Sequence, residues 1–203
     1  MQGNFGIGAL VIFVLTIGIS LLGLFAQPKL IDRSLFRPYW FLRRKQYETI
    51  ITSGFVHADV GHLFFNMMTY YFFAFPMERY IGTGGFFLLY FLGMTCSEVG
   101  TYFKQRRNPE YATLGASGAI LAVLFASIVY APQQKLFVFP IPLPIPAPLF
   151  AVLYLAYSYY SAHYSRGRIN HDAHIAGALT GLAFVAVTQP SAFANFLSMF
   201  TGG

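Results

Sequence analysis

Apolar residues fall along the chain in six long runs separated by short polar stretches. The runs cover roughly Phe5–Ala26, Gly61–Phe75, Gly85–Phe103, Leu114–Ala131, Ala147–His163 and Ala173–Thr188. Each is about 15 to 22 residues long, where a helix crossing a hydrocarbon core needs about 20. Backbone groups in lipid must bond within their own segment, so the runs are predicted to be helices. The alternating ten-residue pattern of a membrane barrel does not occur. The shorter runs can be extended by interfacial turns or by thinning of the bilayer.

The connections differ in character. The first, Gln27 to Val60, is long, aromatic and basic and holds the single tryptophan, Trp40, so it is expected to lie in the membrane interface. The fourth alternates proline at 140, 142, 144, 146 and 148, which forbids helix and predicts a stiff extended connector into the fifth run. No internal repeat supports an inverted-repeat transporter.

Composition agrees with a membrane location. Of 203 residues, 56% are hydrophobic and only 10% charged, against about 25% charged in a soluble domain. The expectation is one membrane domain over residues 1–203, an all-α bundle of six transmembrane helices. The first 26 residues have no basic leader and no clear small-x-small site, so they read as a retained helix. The net charge of +6 comes from Lys and Arg in short loops beside apolar runs, which points to a membrane surface and away from nucleic acid. The lone Cys96 excludes an internal disulfide.

Polar residues inside such a bundle are costly and mark function. His62 and Asn66 lie early in the second run, Ser117 early in the fourth and His174 early in the sixth. Ser117 precedes Pro132, and His174 precedes Gln189, by fifteen residues each. At a rise of about 1.5 Å per residue, both stand about 22 Å from the far end of their helices. The second, fourth and sixth helices run in one direction, so these residues can meet below one membrane face. Gly177 and Gly181 form a G-x-x-x-G, and Gly118 with Ala122 offers a small surface opposite.

The chemistry this suggests is acyl transfer. A serine hydroxyl needs a base, and His174 can take its proton and later pass it to a leaving amine. Gly115-Ala116-Ser117-Gly118 places the serine where a turn enters a helix, with backbone N–H groups free to face an oxyanion. The Ser117 N–H, Asn66 and His62 are the candidate oxyanion donors. Asp172, two residues before His174, emerges on another side of the helix, so a dyad is expected, with burial between helices orienting the imidazole. His57, His62, His171 and His174 are residues of a type that can ligate metal, but no carboxylate or cysteine cluster accompanies them, and neither metal nor cofactor is expected. Glu98 reads as a structural hydrogen bonder near the surface, and Glu78 with Arg79 as the cap of the second helix.

At this point the sequence resembles the rhomboid family of intramembrane proteases over nearly its whole length. The matching stretches are Thr52-Ser53-Gly54-Phe55-Val56-His57, His62-Leu63-Phe64-Phe65-Asn66-Met67, Gly115-Ala116-Ser117-Gly118 and Ala173-His174-Ile175-Ala176-Gly177 with Gly181. The resemblance implies Ser117 as nucleophile, His174 as general base, His62 and Asn66 in the oxyanion hole, and transmembrane proteins as substrates. It implies a multi-pass protein, here expected in a bacterial plasma membrane. Three positions depart from the family pattern. Tyr47-Glu48 stands where Trp-Arg is frequent, Leu121 stands where an aromatic residue supports the histidine, and no glycine occurs around Pro76-Met77-Glu78. Eleven of the Lys and Arg residues fall in the first, third and fifth connections. The positive-inside rule puts that side in the cytoplasm, whereas the family orientation, preferred here, turns it outward. Two other readings are a catalytically silent relative that binds membrane proteins, and a small transporter. The first would lack the serine or histidine, and the second would show polar residues through both leaflets.

Overall fold

The computed structural model describes residues 6–138, 141–164 and 169–201. Phe5 of the first apolar run, Pro140 of the fourth connection and Arg166 and Arg168 of the fifth lie outside them. Helix covers most of each apolar run: α1 (Ile7–Phe25), α5 (Val60–Gln105), α6 (Ser117–Tyr130), α7 (Ala147–Tyr164) and α8 (His171–Thr188). The short helices α2 (Pro28–Ser34), α3 (Pro38–Arg43) and α4 (Thr49–Thr52), followed by a 3-10 turn at Ser53–Phe55, fill the first connection. The second and third runs form one element, α5, broken at Gly82, whose φ of 73° and ψ of 164° leave the helix. By length and composition α1 and α5 are apolar enough to cross a membrane, and α8 adds a third only when counted with α9 (Pro190–Thr201), which follows it across a bend of 120°. The chain is thus a helical protein with membrane-spanning helices, and length alone does not carry six crossings.

The packing is that of a helix bundle in lipid. On α1 the buried positions are Gly8, Ala9, Ile12, Thr16, Ser20 and Gly23, a small and hydroxyl-bearing stripe at intervals of about one turn. Ile7, Val11, Val14, Leu15 and Phe25 point outward. Small residues inside and large apolar ones outside are what close packing in a lipid solvent requires. Every residue of α6 from Gly118 to Val129 is buried, which makes it the centre of the bundle. With 14 residues it is only about 21 Å long.

Glycine sets how closely α8 and α5 approach α6. A Cβ on Gly177 would collide with the backbone carbonyl of Gly118, and one on Gly181 with that of Ala122. On the other side a Cβ on Gly93 would meet the Ala122 methyl, and one on Gly118 the Ser97 side chain.

Three expectations need correction. The proline-rich connection is extended, but it is paired: β1 (Lys135–Val138) and β2 (Ile141–Pro146) form an antiparallel hairpin, with Lys135 opposite Pro146 and Phe137 opposite Pro144. Proline at every second position leaves only the alternate residues of β2 able to donate to a ladder. Helix α6 begins at Ser117, where the sequence places the turn, and not at Leu114 where the apolar run starts, because Gly115 has a φ of 111° and its N–H bonds to the Ser53 carbonyl at 2.9 Å.

The third correction concerns Glu78, which caps α1 and not its own helix. Its two oxygens accept the N–H groups of Gly8 at 3.0 Å and Ala9 at 2.7 Å, and the Thr83 hydroxyl donates to it at 2.6 Å. The first N–H groups of a helix have no intrahelical acceptor, and this carboxyl group supplies one from a neighbouring helix. Glu78→Ala would leave two buried donors bare, at a cost of about 1–3 kcal/mol each. The expected result is a clearly lower unfolding midpoint in detergent. An unchanged midpoint would mean that water replaces the carboxyl without loss.

Candidate functional site

The site is built where α6 begins. The segment before it is pinned from outside: Phe36 and Thr113 exchange backbone hydrogen bonds at 3.0 Å, and Gly115 is held to Ser53. The positive φ of Gly115 then turns the chain so that Ser117 becomes the first residue of α6. A side chain at 115 would strike the His62 ring, its Cβ lying 2.7 Å from Cε1. Glycine is therefore needed twice here, for the turn and for the approach of His62.

On α8, Asn170 starts the helix by accepting the Ala173 N–H at 3.1 Å and is itself fixed by donating to the Thr101 hydroxyl at 2.8 Å. His174 follows one turn in. Close packing of Gly177 on Gly118 brings its Nε2 to 2.8 Å from the Ser117 hydroxyl oxygen. Asp172 lies elsewhere, its carboxylate held by Lys104 at 2.7 Å, while Lys104 also donates to the Ala162 carbonyl at 3.1 Å. The neighbour of His174 Nδ1 is the phenol oxygen of Tyr154 on α7, at 3.0 Å. The two rings lie nearly parallel, 25° apart with centroids at 6.5 Å. Sequence reasoning missed this residue and assigned the orientation of His174 to burial alone.

Helix α5 contributes the opposite wall. Asp59 caps it by accepting the His62 N–H at 2.7 Å, and Asn66, one turn on, donates from its amide to the His62 carbonyl at 3.0 Å. Behind them His57 is fully buried. Its Nδ1 lies 2.9 Å from the Ser20 hydroxyl oxygen, which donates to the Phe55 carbonyl at 2.9 Å. Because Ser20 uses its proton on Phe55, its oxygen accepts from His57, whose ring meets that of His62 edge to face at 4.9 Å. Burial, with His62 beside it, lowers the His57 pKa to about 3, so this ring is a neutral spacer behind His62. Tyr111, on the loop before α6, is pushed up to about 12 by burial and by the nearby Glu98 and stays a phenol.

A cavity of about 970 Å³ opens over these groups, with His62, Asn66, Ser117, Tyr154 and His174 in its wall. Phe65, Leu121 and Phe150 line it as well, beside Glu98, Tyr111 and Asn170. Glu98 is buried here, not near the surface, and receives the Ser53 hydroxyl at 3.5 Å. Among the described residues no three His, Cys, Asp or Glu side chains gather as a metal site would require. The arrangement can do acyl chemistry: a hydroxyl in contact with an imidazole, free N–H groups at a helix start, and an amide and an imidazole across a cavity large enough for a peptide segment.

Comparison with known proteins places the chain in a family. Residues 44–191 match the Rhomboid domain. The chain is similar to Rhomboid protein 1, mitochondrial, of Saccharomyces cerevisiae, with 30% identity over 86% of this chain and 52% of that protein. It is similar to RHOMBOID-like protein 12, mitochondrial, of Arabidopsis thaliana, with 28% identity over 64% of this chain and 43% of that protein. It is also similar to Presenilin-associated rhomboid-like protein A, mitochondrial, of Danio rerio, with 29% identity over 67% of this chain and 36% of that protein. The chain thus spans about half or less of the length of these relatives. All three are mitochondrial by name, and they lend no support to the expected bacterial plasma membrane.

Proposed function

The chain belongs to the rhomboid family, and on that premise we propose that it is an intramembrane serine endopeptidase acting on transmembrane proteins. Its six spans are α1, the two arms of α5, α6, α7 and α8. The observation that carries the reading is the 2.8 Å contact between Ser117 Oγ and His174 Nε2 at the half-buried start of α6.

In the reaction Ser117 Oγ attacks the scissile carbonyl carbon while its proton passes to His174 Nε2. The carbonyl oxygen becomes an oxyanion, which the Ser117 N–H, the Asn66 amide and His62 stabilise. Collapse breaks the C–N bond, the proton on Nε2 goes to the leaving amine, and an ester on Ser117 remains. Water then attacks that ester, gives its proton to His174, and the second collapse returns the proton to Ser117 with release of the acid. No cofactor enters this sequence. The shortness of α6 supports the location: about 21 Å of helix in a core about 30 Å thick sets Ser117 beneath one face.

The test is covalent. The folded protein in liposomes is treated with a fluorophosphonate, the adduct is mapped by mass spectrometry, and cleavage of a labelled transmembrane substrate is followed in parallel. A single adduct on Ser117 that blocks cleavage is expected. A folded protein that neither labels nor cleaves would favour the silent, membrane-protein-binding relative.

A further inference from the structure

Helix α7 meets the bundle through a narrow stripe. Its buried residues are Ala147, Ala151, Ser158 and Ser161, spaced one or two turns apart on one face. Tyr154 stands in the middle of that stripe, the one large side chain among small ones. Leu149, Val152, Leu153, Tyr157, Tyr159 and Tyr160 on the other faces are exposed. Tyr154 is fixed from the side by Phe150, nearly parallel at 5.5 Å, and by Phe125 of α6 at 5.9 Å.

Its phenol oxygen reaches the nitrogen of His174 that does not face Ser117. A neutral imidazole carries one proton on either nitrogen, and only the form protonated on Nδ1 has a lone pair on Nε2 for the serine. Once Nε2 takes that proton, Nδ1–H must still have an acceptor, or a charged ring would be left with a bare donor in a buried site. Asp172 is engaged by Lys104, and no carboxylate contacts Nδ1 in the described structure. The group that faces Nδ1 is the Tyr154 phenol, at 3.0 Å. Its own O–H can turn toward Ser158, one turn along α7, whose buried hydroxyl has no hydrogen-bond partner among the described residues.

We propose that Tyr154 is the positioning residue of this site: its phenol oxygen accepts the Nδ1–H of His174, selects the basic tautomer and ties the base to the seating of α7. The inference rests on the protease reading above. It has a mechanical corollary: outward displacement of α7 withdraws the phenol, and His174 loses its orientation without any change on α6 or α8.

The experiment compares wild type with Tyr154→Phe, which keeps the stacked ring and removes only the oxygen. Cleavage in liposomes should show kcat lower by roughly 10–100-fold, the size of effect known for the hydrogen-bonding partner of a metal-bound histidine and smaller than that of a charged carboxylate partner. KM and the unfolding midpoint should be unchanged, and the fluorophosphonate labelling rate should fall by the same factor. Ring-fluorinated tyrosines placed at 154 keep the shape and weaken the oxygen as an acceptor. They should lower kcat in graded order and serve where Tyr154→Phe does not fold. Wild-type kcat in Tyr154→Phe, a flat fluorotyrosine series, or a change confined to KM or the unfolding midpoint would overturn the positioning role while leaving the protease reading intact. A wild type that neither labels nor cleaves would overturn both.

Discussion

His174→Ala is expected to lower kcat by roughly 10⁶-fold, measured as single-turnover cleavage of a transmembrane substrate in liposomes. The imidazole supplies the only base in contact with Ser117 Oγ in the described structure, so its loss leaves a hydroxyl with no route for its proton. Ser117→Ala should reach a similar floor, and the double variant should fall no further, because the two residues act as one unit. The substitution removes two side-chain hydrogen bonds between helices, to Ser117 and to Tyr154, each contributing about 1 kcal/mol. Asn170 and the glycine contacts keep α8 in place, so the protein should stay folded with a modestly lower unfolding midpoint. Retention of more than a tenth of wild-type kcat in a folded His174→Ala protein would remove the base role.

The second large effect is expected from a single methyl group far smaller than any catalytic side chain. In Gly177→Ala the new Cβ points into the carbonyl of Gly118. That neighbour is backbone in a fully buried helix and cannot swing aside as a side chain could. Helix α8 must therefore back away from α6, and His174, one turn before residue 177, moves with it. A displacement near 1 Å costs about 10²-fold in rate when it misplaces reacting groups, and overpacking costs about 1–3 kcal/mol of stability. Gly18→Ala is the matched control, since its Cβ meets nothing within 4 Å. Equal activity in the two variants would show that α8 can shift without moving the histidine.

The order of the helices and the meeting of Ser117, His174, His62 and Asn66 were legible in the sequence because both follow from counting. A fixed rise per residue turns spacing into depth, and depth brings residues from separate helices to one level. What was not legible depends on partners that sequence spacing does not bring together. Glu78 looks like the cap of its own helix, and only the packed structure shows its oxygens on Gly8 and Ala9. The hairpin at Lys135–Pro146 was half legible: the prolines declared the extended backbone but not the strand beside it. Gly82 lay in an expected turn, yet nothing in the sequence marked it, among three nearby glycines, as the one that leaves the helix. Tyr154 did carry a signal. A lone tyrosine in the small stripe Ala147, Ala151, Ser158, Ser161 breaks the pattern of a close-packed face, and such a break calls for a reason. Leu121, with no ring to offer His174, was the complementary hint.

The Glu78 clamp also sets an order of events during synthesis. Helix α1 leaves the ribosome some seventy residues ahead of the carboxyl group that completes its first turn. Until that carboxyl arrives, the N–H groups of Gly8 and Ala9 must keep water or headgroups as partners, since bare donors in hydrocarbon cost several kcal/mol each. The nascent helix is therefore held at its polar end, shallow and free to slide. It settles only when the first arm of α5 has been made through residue 78, so insertion of α1 is finished by a segment made after it.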